Sequence, residues 1–279
     1  MITQALKEDA CGHDITTQIL IPKNKISEAK ILIKGKAVIC GLILVQKIFQ
    51  KLDKNIQFHS FCNDGDLIKE KTCIASIKGK TRALLTGERV ALNFLGHLSG
   101  IATTTYHFVQ RIHGLKTKIL DTRKTTPGLR ELEKYAVRCG GAHNHRRDLN
   151  EMILIKDNHL EALQYQMSIA QLLRRIKNRT NKTIEIEVDH FIQFKEALRE
   201  NPDIILLDNM NPRQLKEAVT ILKTINPKKK PLLEASGGIT LSNVRSIAKT
   251  GVDRISIGAL THSHKSIDFS MELRPTNKI

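Results

Sequence analysis

Residues 203–238 read DIILLDNMNPRQLKEAVTILKTINPKKKPLLEASGG and contain one full copy of the pattern that decides the fold. A short apolar run ends in Asp208, a segment with apolar residues three and four apart follows, and a second apolar run ends in Ser236 and two glycines. That spacing predicts an amphipathic helix, and the short apolar runs on either side of it predict buried strands. Strand, helix and strand in this order indicate a parallel βαβ unit.

The same unit repeats along the second half of the chain. The predicted strands are KILDTRKT (118–125), MILIKDNH (152–159), TIEIEVDH (183–190), DIILLDNM (203–210), PLLEASGG (231–238) and DRISIGAL (253–260). Repeated βαβ units fit both an open sheet and a closed barrel. Polar or small residues stand at or just beyond the end of every one of these strands, and a parallel barrel carries its chemistry on that face. We therefore favour the barrel.

The first hundred residues have a different pattern. EAKILIKGKAVICG (28–41) and TCIASIK (72–78) alternate like strands, and TGERVALNFLGHLSGIATTTYHFVQRI (86–112) predicts a long helix. We predict an α/β protein in which an N-terminal α+β sandwich-like domain over residues 1–100 precedes an α/β barrel over residues 101–265. A C-terminal extension over residues 266–279 is expected to pack back on the N-terminal domain.

The composition is that of a compact globular protein. The chain has 279 residues, of which 41% are hydrophobic and 26% charged, and no apolar stretch approaches twenty residues. Its first residues, MITQALKEDA, lack the apolar segment of a secretion signal. Five cysteines form no CxxC pair, which indicates reduced thiols and disfavours a zinc site. We expect a cytoplasmic protein with no membrane partner.

The formal net charge of +17 raises the question of a nucleic-acid partner. The lysines are scattered apart from a KKK run at 228–230, the chain has no Trp and only three Tyr, and no zinc-finger or RNA-binding spacing occurs. We therefore expect no nucleic-acid partner. The charge is better explained by background composition together with an anionic small-molecule ligand.

Cationic residues gather where the predicted strands end. Arg123, Lys124 and Lys156 follow two of the strands, and His145 with Arg146 lies in the glycine-flanked stretch GGAHNHRRDLN (140–150). A lone lysine or arginine is most often a solvated surface group. Five cations on one barrel face indicate instead a ligand with several negative charges, because arginine forks bind carboxylates and lysine supplies a point charge.

Carboxylates and glycine turns share that face. Glu185 and Glu187 alternate along one strand and point to the same side, and Glu187 with Asp208 could hold Mg²⁺ directly or through water. An alternative, compatible with the first, is that the acids pair with Lys156 and Lys124. EASGGI (234–239) and SIGAL (256–260) each run from a strand into glycine and a helix, which is the usual form of a barrel phosphate site.

These stretches resemble the quinolinate phosphoribosyltransferase family, also called carboxylating nicotinate-nucleotide pyrophosphorylases. The resemblance covers almost the whole chain and rests on LKEDACGHDITT (6–17), GERVALNFLGHLSGIAT (87–103), DTRKTTPGLRELEKYAVRCGGAHNHRRDLNEMILIKDNH (121–159), IEIEVD, IILLDNM, LEASGGI and ISIGA. It implies an enzyme that joins quinolinate to 5-phosphoribosyl-1-pyrophosphate with loss of carbon dioxide, in a pathway of NAD biosynthesis. It also implies Mg²⁺, an incomplete barrel of seven strands, and a homodimer or higher oligomer with shared sites.

The resemblance also assigns roles to residues. It implies that quinolinate is bound by Arg89, Thr122, Arg123, Lys124, His145, Arg146 and Lys156. Of these residues, Arg89 would come from the neighbouring subunit. It implies ribose and metal contacts by Glu187 and Asp208, and contacts to the phosphates by Ser236, Gly237, Gly238, Ser256, Ile257 and Gly258. Lys124, Lys156, Glu187 and Asp208 are the expected catalytic residues. Glu187 is preferred over Glu185 because it stands nearer the end of its strand.

Three positions depart from the family pattern. His13, Ala142 and Asp148 stand where glycine is usual, and all three flank ligand-facing positions without replacing them. Arg147, next to the assigned Arg146, is expected to be structural. Two other functions stay open: a phosphoribosyltransferase that acts on a different anionic acceptor, and a binding protein that kept the scaffold and lost the chemistry.

Overall fold

The computed structural model describes residues 1–163, 166–227 and 229–275. The chain forms two compact units. The first contains Met1–Tyr106, Thr126–Gly141 and the C-terminal segment from His264, and the second contains His107–Thr125 and Ala142–Ser263. The predicted domain boundaries at residues 100 and 265 stay a prediction.

The first unit is built on an antiparallel sheet. Its strands and helices are β1 (Ile26–Ile33), β2 (Ala37–Val38), β3 (Gln57–Ser60), β4 (Leu67–Ile68), β5 (Cys73–Lys80), β12 (Phe269–Pro275), α1 (Ile2–Glu8), α2 (Ile15–Leu20), α3 (Leu42–Leu52), α4 (Thr81–Arg111) and α5 (Arg130–Cys139). The main sheet has the order β12, β1, β5, β3, and β2 pairs with β4. Every pairing in this unit is antiparallel.

Alternating burial along β1 shows which face of the main sheet meets the core. Ala29, Ile31 and Ile33 of β1 are fully buried, whereas the residues between them are half-buried, so one face of the strand meets the core. The predicted helix over 86–112 is present as α4 but begins five positions earlier, directly after β5. The C-terminal strand β12 pairs with β1 along the edge of the sheet.

The second unit contains a parallel sheet flanked by helices. Its elements are β6 (Lys118–Leu120), β7 (Ile153–Ile155), β8 (Ile184–Val188), β9 (Ile204–Asp208), β10 (Leu232–Ser236), β11 (Arg254–Ser256), α6 (Asp157–Ala162), α7 (Ile169–Lys177), α8 (Phe191–Glu200), α9 (Pro212–Ile225), α10 (Val244–Ala248) and α11 (Ala259–His262). The strand order is β6, β11, β10, β9, β8, β7, and all pairings are parallel. The first strand of this unit therefore lies beside the last. That cyclic order is typical of a barrel, because an open doubly wound sheet reverses its order at a switch point.

The barrel is incomplete, as expected, and the seventh strand that the family resemblance implies is very short. Among the described residues it is reduced to one parallel bridge between His143 and Leu120 of β6. The carboxylate of Asp121 explains why pairing stops there. It accepts hydrogen bonds from the main-chain N–H of His145 at 2.7 Å and from the side chain of Asn144 at 2.6 Å. The main-chain N–H of His145 is thereby withdrawn from a continued strand ladder.

The βαβ motif of β9, α9 and β10 folds as its sequence pattern predicts. Asn211 caps α9 by accepting hydrogen bonds from two main-chain N–H groups, and Pro212 occupies the first helical position, where its missing N–H costs little. The residues of α9 that are buried lie three and four apart; they are Leu215, Ala218, Val219 and Leu222. The first lysine of the KKK run, Lys228, lies outside the described residues, and Lys229 pairs with Asp203 at 2.5 Å. No helix in the described parts of the chain is long and apolar enough to cross a membrane.

Candidate active site

A cavity of about 680 Å³ lies at the carboxyl ends of the parallel strands in the second unit. Every site residue predicted above except Arg89 lines it: Thr122, Arg123, Lys124, His145, Arg146, Lys156, Glu187, Asp208, Ser236, Gly237, Gly238, Ser256, Ile257 and Gly258. Arg89 lies on α4 in the first unit, where it lines a different cavity of about 1080 Å³. The ends of the six parallel strands, together with the stretch 140–150, therefore bring together residues that are far apart in the sequence.

Period-two alternation along the strands explains which side chains reach the cavity. Glu187 on β8 and the pair Leu206 and Asp208 on β9 line it, as do Glu234 and Ser236 on β10. Residues at even spacing point to one face of a strand, and in a barrel that face is the interior. The residues that alternate with Glu187 along β8 are buried and apolar; they are Ile184, Ile186 and Val188.

Two arginines place positive charge in the wall of the cavity. The Nε atom of Arg123 is buried and has no hydrogen-bond partner among the described residues. Arg146 is 7% exposed and donates from Nη1 to the carbonyl of Met152 at 3.1 Å. Burial and the like charge of the nearby Arg123, which repels it, lower the pKa of Arg146. An anion bound between them would relieve that repulsion and supply the missing acceptor.

The stretch GGAHNHRRDLN (140–150), which contains Arg146, is fixed at the end of β6. Its residues His143 and His145 are held by the bridge to Leu120 and by the buried carboxylate of Asp121. Gly141, at the start of the stretch, has φ +88°, a conformation that L side chains rarely adopt. The departures from the family pattern are accommodated locally. Ala142 is buried, and Asp148 accepts hydrogen bonds from the N–H groups of Asn150 and Glu151.

An outer layer of ionic groups faces the open part of the cavity. Lys156 lies 3.2 Å from Glu187, and both side chains keep some contact with solvent. Burial raises the pKa of Glu187, Lys156 counteracts this, and the neighbouring Asp208 raises it further. Burial raises the pKa of Asp208 as well, and Asn209 donates to its carboxylate at 2.6 Å. Two carboxylates that disfavour each other's charge fit a divalent cation, which would reverse that effect.

A deeper layer of ionic groups lies beneath it. His145 Nε2 is 3.0 Å from Glu185 and 3.4 Å from Glu234, and Arg254 Nε is 3.0 Å from the other oxygen of Glu234. Both glutamates are fully buried. Burial raises the pKa of Glu185, whereas the contacts with His145 and Arg254 outweigh burial and lower the pKa of Glu234. Buried charges of this kind are tolerated only when they are paired.

Two influences act on the protonation of the His145 ring. Burial favours the neutral ring, and the main-chain N–H of Arg146 donates to Nδ1 at 2.8 Å, which requires a lone pair there. Glu185 and Glu234 act in the opposite direction and raise the pKa of His145 to about 9. The carboxylates dominate, since a shift from 6.5 to about 9 corresponds to about 3 kcal/mol, and a neutral hydrogen bond to about 1 kcal/mol. The ring therefore serves first to balance the buried carboxylates, and its expected contact with quinolinate stays a prediction.

Glycine turns form the wall at β10 and β11. Gly237 and Gly238 have φ +88° and +59°, and they contribute only main-chain atoms to the lining. A Cβ atom at Gly237 would lie 2.0 Å from Oδ1 of Asn209, whereas one at Gly238 would meet open space. At the β11 turn, Thr261 Oγ1 donates to the carbonyl of Lys124 at 2.6 Å. Exposed main-chain N–H groups in such turns are suited to phosphate oxygens.

Three polar residues that line the cavity were not among the predicted site residues; they are Asn209, Glu234 and His262. Glu234 stands two positions before Ser236 on β10, so the alternation that singled out Glu185 and Glu187 would also have indicated it. Asn209 and His262 carry no comparable signal, because they lie on a turn and at the end of a four-residue helix. Arg147, expected to be structural, is exposed and does not line the cavity.

Comparison with known proteins places this chain in a family. Residues 14–99 match the family model of the quinolinate phosphoribosyl transferase N-terminal domain, and residues 101–272 match that of the C-terminal domain. A probable nicotinate-nucleotide pyrophosphorylase (carboxylating) of Synechocystis sp. is 40% identical over 272 residues, which cover 98% of this chain and 91% of the relative. A quinolinate phosphoribosyltransferase (decarboxylating) of Nicotiana tabacum is 36% identical over 291 residues, with 98% and 81% covered.

Solved structures agree with the sequence matches. The nicotinate-nucleotide pyrophosphorylase from Ehrlichia chaffeensis superposes with a TM-score of 0.90 at 40% identity, covering 98% of this chain and 97% of that one. NadC from Streptococcus pyogenes gives a TM-score of 0.91 at 37% identity, with 99% and 96% covered. Models of both domains of the family match this chain, and the reported relatives are matched over 81–97% of their own length. The chain therefore belongs to the quinolinate phosphoribosyltransferase family.

Proposed function

We propose that the chain transfers the phosphoribosyl group of 5-phosphoribosyl-1-pyrophosphate to quinolinate, giving nicotinate mononucleotide, pyrophosphate and carbon dioxide. The observation that carries the proposal is the buried Nε of Arg123, which has no acceptor among the described residues and lines the same cavity as Arg146. Two guanidinium groups in one wall match an acceptor with two carboxylates better than an acceptor with one.

The opposite wall suits the donor substrate. The main chain of Gly237, Gly238 and Gly258 would hold the 5-phosphate, as glycine turns before helices commonly do. Lys124 and Lys156 would neutralise the pyrophosphate as it leaves. Glu187 and Asp208 would face the ribose hydroxyls, where their charge favours a ribose carbon that becomes positive in the transition state.

Magnesium fits the same pair of carboxylates. Glu187 and Asp208 stand at the ends of adjacent strands, and Mg²⁺ prefers one or two carboxylates together with phosphate oxygens and water. When bound, the ion would stabilise the negative charge that develops on the pyrophosphate. The pairing of Lys156 with Glu187 is compatible with this role, because the lysine is half exposed and free to turn toward a phosphate.

The reaction needs no covalent intermediate on the protein. The bond between the ribose carbon and the pyrophosphate oxygen breaks, and the pyridine nitrogen forms the new bond to that carbon. The pyridine ring is then cationic and can hold the electron pair left when the 2-carboxylate departs as carbon dioxide, after which that carbon takes a proton. Arg123 and Arg146 would hold the acceptor so that its nitrogen faces the ribose.

Arg89 enters the proposal through a second subunit. It lies in the first unit, and we propose that it reaches the quinolinate site of the partner in a homodimer, as the family resemblance implies. The oligomeric state and the expected cytoplasmic location stay predictions.

A direct assay tests the proposed activity. Purified protein with Mg²⁺ and 5-phosphoribosyl-1-pyrophosphate is given quinolinate or nicotinate, and nicotinate mononucleotide and carbon dioxide are measured. We expect turnover with quinolinate and at least about 100-fold less with nicotinate, because one charge-assisted contact is lost. No product from either compound would favour a binding protein, and equal use of both would favour a paralogue with another acceptor.

Mixed dimers test the role of Arg89. Arg89→Ala and Arg146→Ala are each expected to be inactive, and a mixture of the two to recover activity after subunit exchange. Recovery follows because a hybrid dimer contains one site with both arginines intact. If confirmed exchange restores nothing, Arg89 does not act across a subunit boundary.

A further inference from the structure

We propose that Cys40, Asp64 and Cys139 form a binding site for a soft divalent cation, with Zn²⁺ as the ion of matching chemistry. One ligand atom from each residue lies within 4.8 Å of the other two. The cluster belongs to the first unit and contains none of the residues that line the cavity of the proposed reaction. The proposal is therefore independent of the proposed function.

The sequence gives no hint of this cluster because its members are far apart along the chain. Cys40 follows β2, Asp64 lies between β3 and β4, and Cys139 is the last residue of α5. The absence of a CxxC pair disfavoured a zinc site in the sequence, but that rule concerns sites whose ligands share one short segment. Folding here brings two thiols and a carboxylate together from three segments.

The carboxylate is held by groups that would support a bound ion. Oδ1 of Asp64 accepts hydrogen bonds from the N–H groups of Gly41 at 2.9 Å and Leu42 at 3.1 Å. Oδ2 accepts one from the hydroxyl of Tyr135 at 2.8 Å. Outer partners of this kind fix the orientation of a metal ligand and are part of metal sites in general.

The two sulfur atoms differ in burial. Cys40 is fully buried, and its main-chain N–H donates to Oγ of Ser99 at 3.0 Å. Cys139 is half-buried and is therefore the sulfur that solvent reaches more easily. Both sulfur atoms would bind the ion as thiolates.

The negative groups of the cluster favour a bound divalent cation. A carboxylate beside two thiols opposes the formation of a second thiolate, whereas a divalent cation reverses that effect and deprotonates its thiol ligands. Ligand atoms of a tetrahedral zinc ion lie about 3.5–3.8 Å apart, so closing the cluster requires shifts of roughly 1 Å. Water would be the fourth ligand. Binding displaces the remaining thiol protons to solvent, and the Arg138 guanidinium over the Tyr135 ring offsets the extra negative charge.

Cadmium titration of the full-length protein tests the site. The protein is reduced, stripped of metal with a chelator, and titrated with Cd²⁺ while thiolate-to-metal absorption is followed in the ultraviolet. We expect one equivalent to bind and Zn²⁺ to displace it. Cys40→Ser or Cys139→Ser is expected to weaken binding by more than about 100-fold, and Asp64→Asn by about tenfold. Asn at position 64 can still accept from Gly41 and Leu42, so this variant keeps the local fold.

The matched control is Cys62→Ser with Cys73→Ser, which removes two other half-buried cysteines of the first unit and should leave binding unchanged. A second readout needs no variant: Zn²⁺ should slow alkylation of Cys139 in the native protein, measured by mass spectrometry of its peptide. Absence of a thiolate band at one equivalent would overturn the proposal. So would a band that survives in Cys139→Ser, or alkylation of Cys139 that Zn²⁺ does not slow.

Discussion

Two layers of ionic groups lie in the barrel, share only strand β8, and differ in their access to solvent. In the outer layer, Lys156 and Glu187 are 46% and 11% exposed, and Asp208 stands beside them. In the deeper layer, Glu185 and Glu234 are fully buried and their charges are met by His145 and Arg254. Glu185 and Glu187 are only two residues apart on β8, so depth in the barrel separates them rather than residue type.

The difference indicates a division of tasks. Charges that can still be hydrated are able to exchange a protein partner for a ligand or a metal ion at little cost. Charges that are fully buried cannot lose a partner without a large penalty, so the deeper layer is a fixed base for the cavity. We therefore expect changes in the outer layer to alter activity with little effect on stability, and changes in the deeper layer to alter stability.

The largest expected effect is on stability in the deeper layer. Glu234→Ala leaves His145 and Arg254 without a shared carboxylate, and we expect the free energy of unfolding to fall by about 3–5 kcal/mol. The counterpart Glu187→Ala should cost about 1 kcal/mol or less, because its partner Lys156 is half exposed. Urea unfolding followed by circular dichroism measures both. Similar losses in the two variants would remove the distinction between the layers.

The pH dependence of stability sharpens the same comparison. The pKa of His145 in the folded protein, about 9, lies above its ordinary value of 6.5. The contribution of His145, about 3 kcal/mol, is therefore fully present below about pH 6.5 and is lost as the pH rises toward 9. Urea unfolding of the native protein at pH 6, 7.5 and 9 should show this decline, and His145→Gln should show much less of it. Equal slopes in the two proteins would mean that His145 is not the group responsible.

An effect on activity alone is expected in the outer layer. Glu187→Gln keeps the shape of the side chain and removes its charge, so we expect kcat/KM for 5-phosphoribosyl-1-pyrophosphate to fall about 10- to 100-fold, or about 1.4–2.7 kcal/mol. The Mg²⁺ concentration for half-maximal rate should rise as well. Glu217→Gln is a matched control, because Glu217 is an exposed residue of α9 and does not line the cavity. If Glu217→Gln has the larger effect, the proposed metal position is wrong.

Much of this arrangement follows from the sequence, for identifiable reasons. Strands and helices such as β9, α9 and β10 are predictable because their apolar spacing and caps are local signals, and the cavity is predictable because parallel strands end on one face. The shortness of the seventh strand is not predictable from the sequence, since it depends on the hydrogen bonds of Asp121. The depth at which Glu185 and Glu234 are buried is not predictable either. Alternation along a strand indicates which face of the strand a side chain is on, but not how far it lies from solvent.

The smallest effect, at Gly238, belongs to the glycine turn that borders both layers at β10, and it is measured against the larger effect at Gly237. Gly237→Ala is expected to cost about 2 kcal/mol and to weaken phosphate binding, because its Cβ would lie 2.0 Å from Oδ1 of Asn209 at φ +88°. Gly238→Ala meets open space at φ +59° and should cost only about 1 kcal/mol of backbone strain. Thermal unfolding with and without inorganic phosphate measures both effects. Phosphate should stabilise the native protein and Gly238→Ala more than Gly237→Ala. An equal gain in all three would show that the turn at Gly237 does not shape the phosphate site, and Asn209 would then have room to move aside.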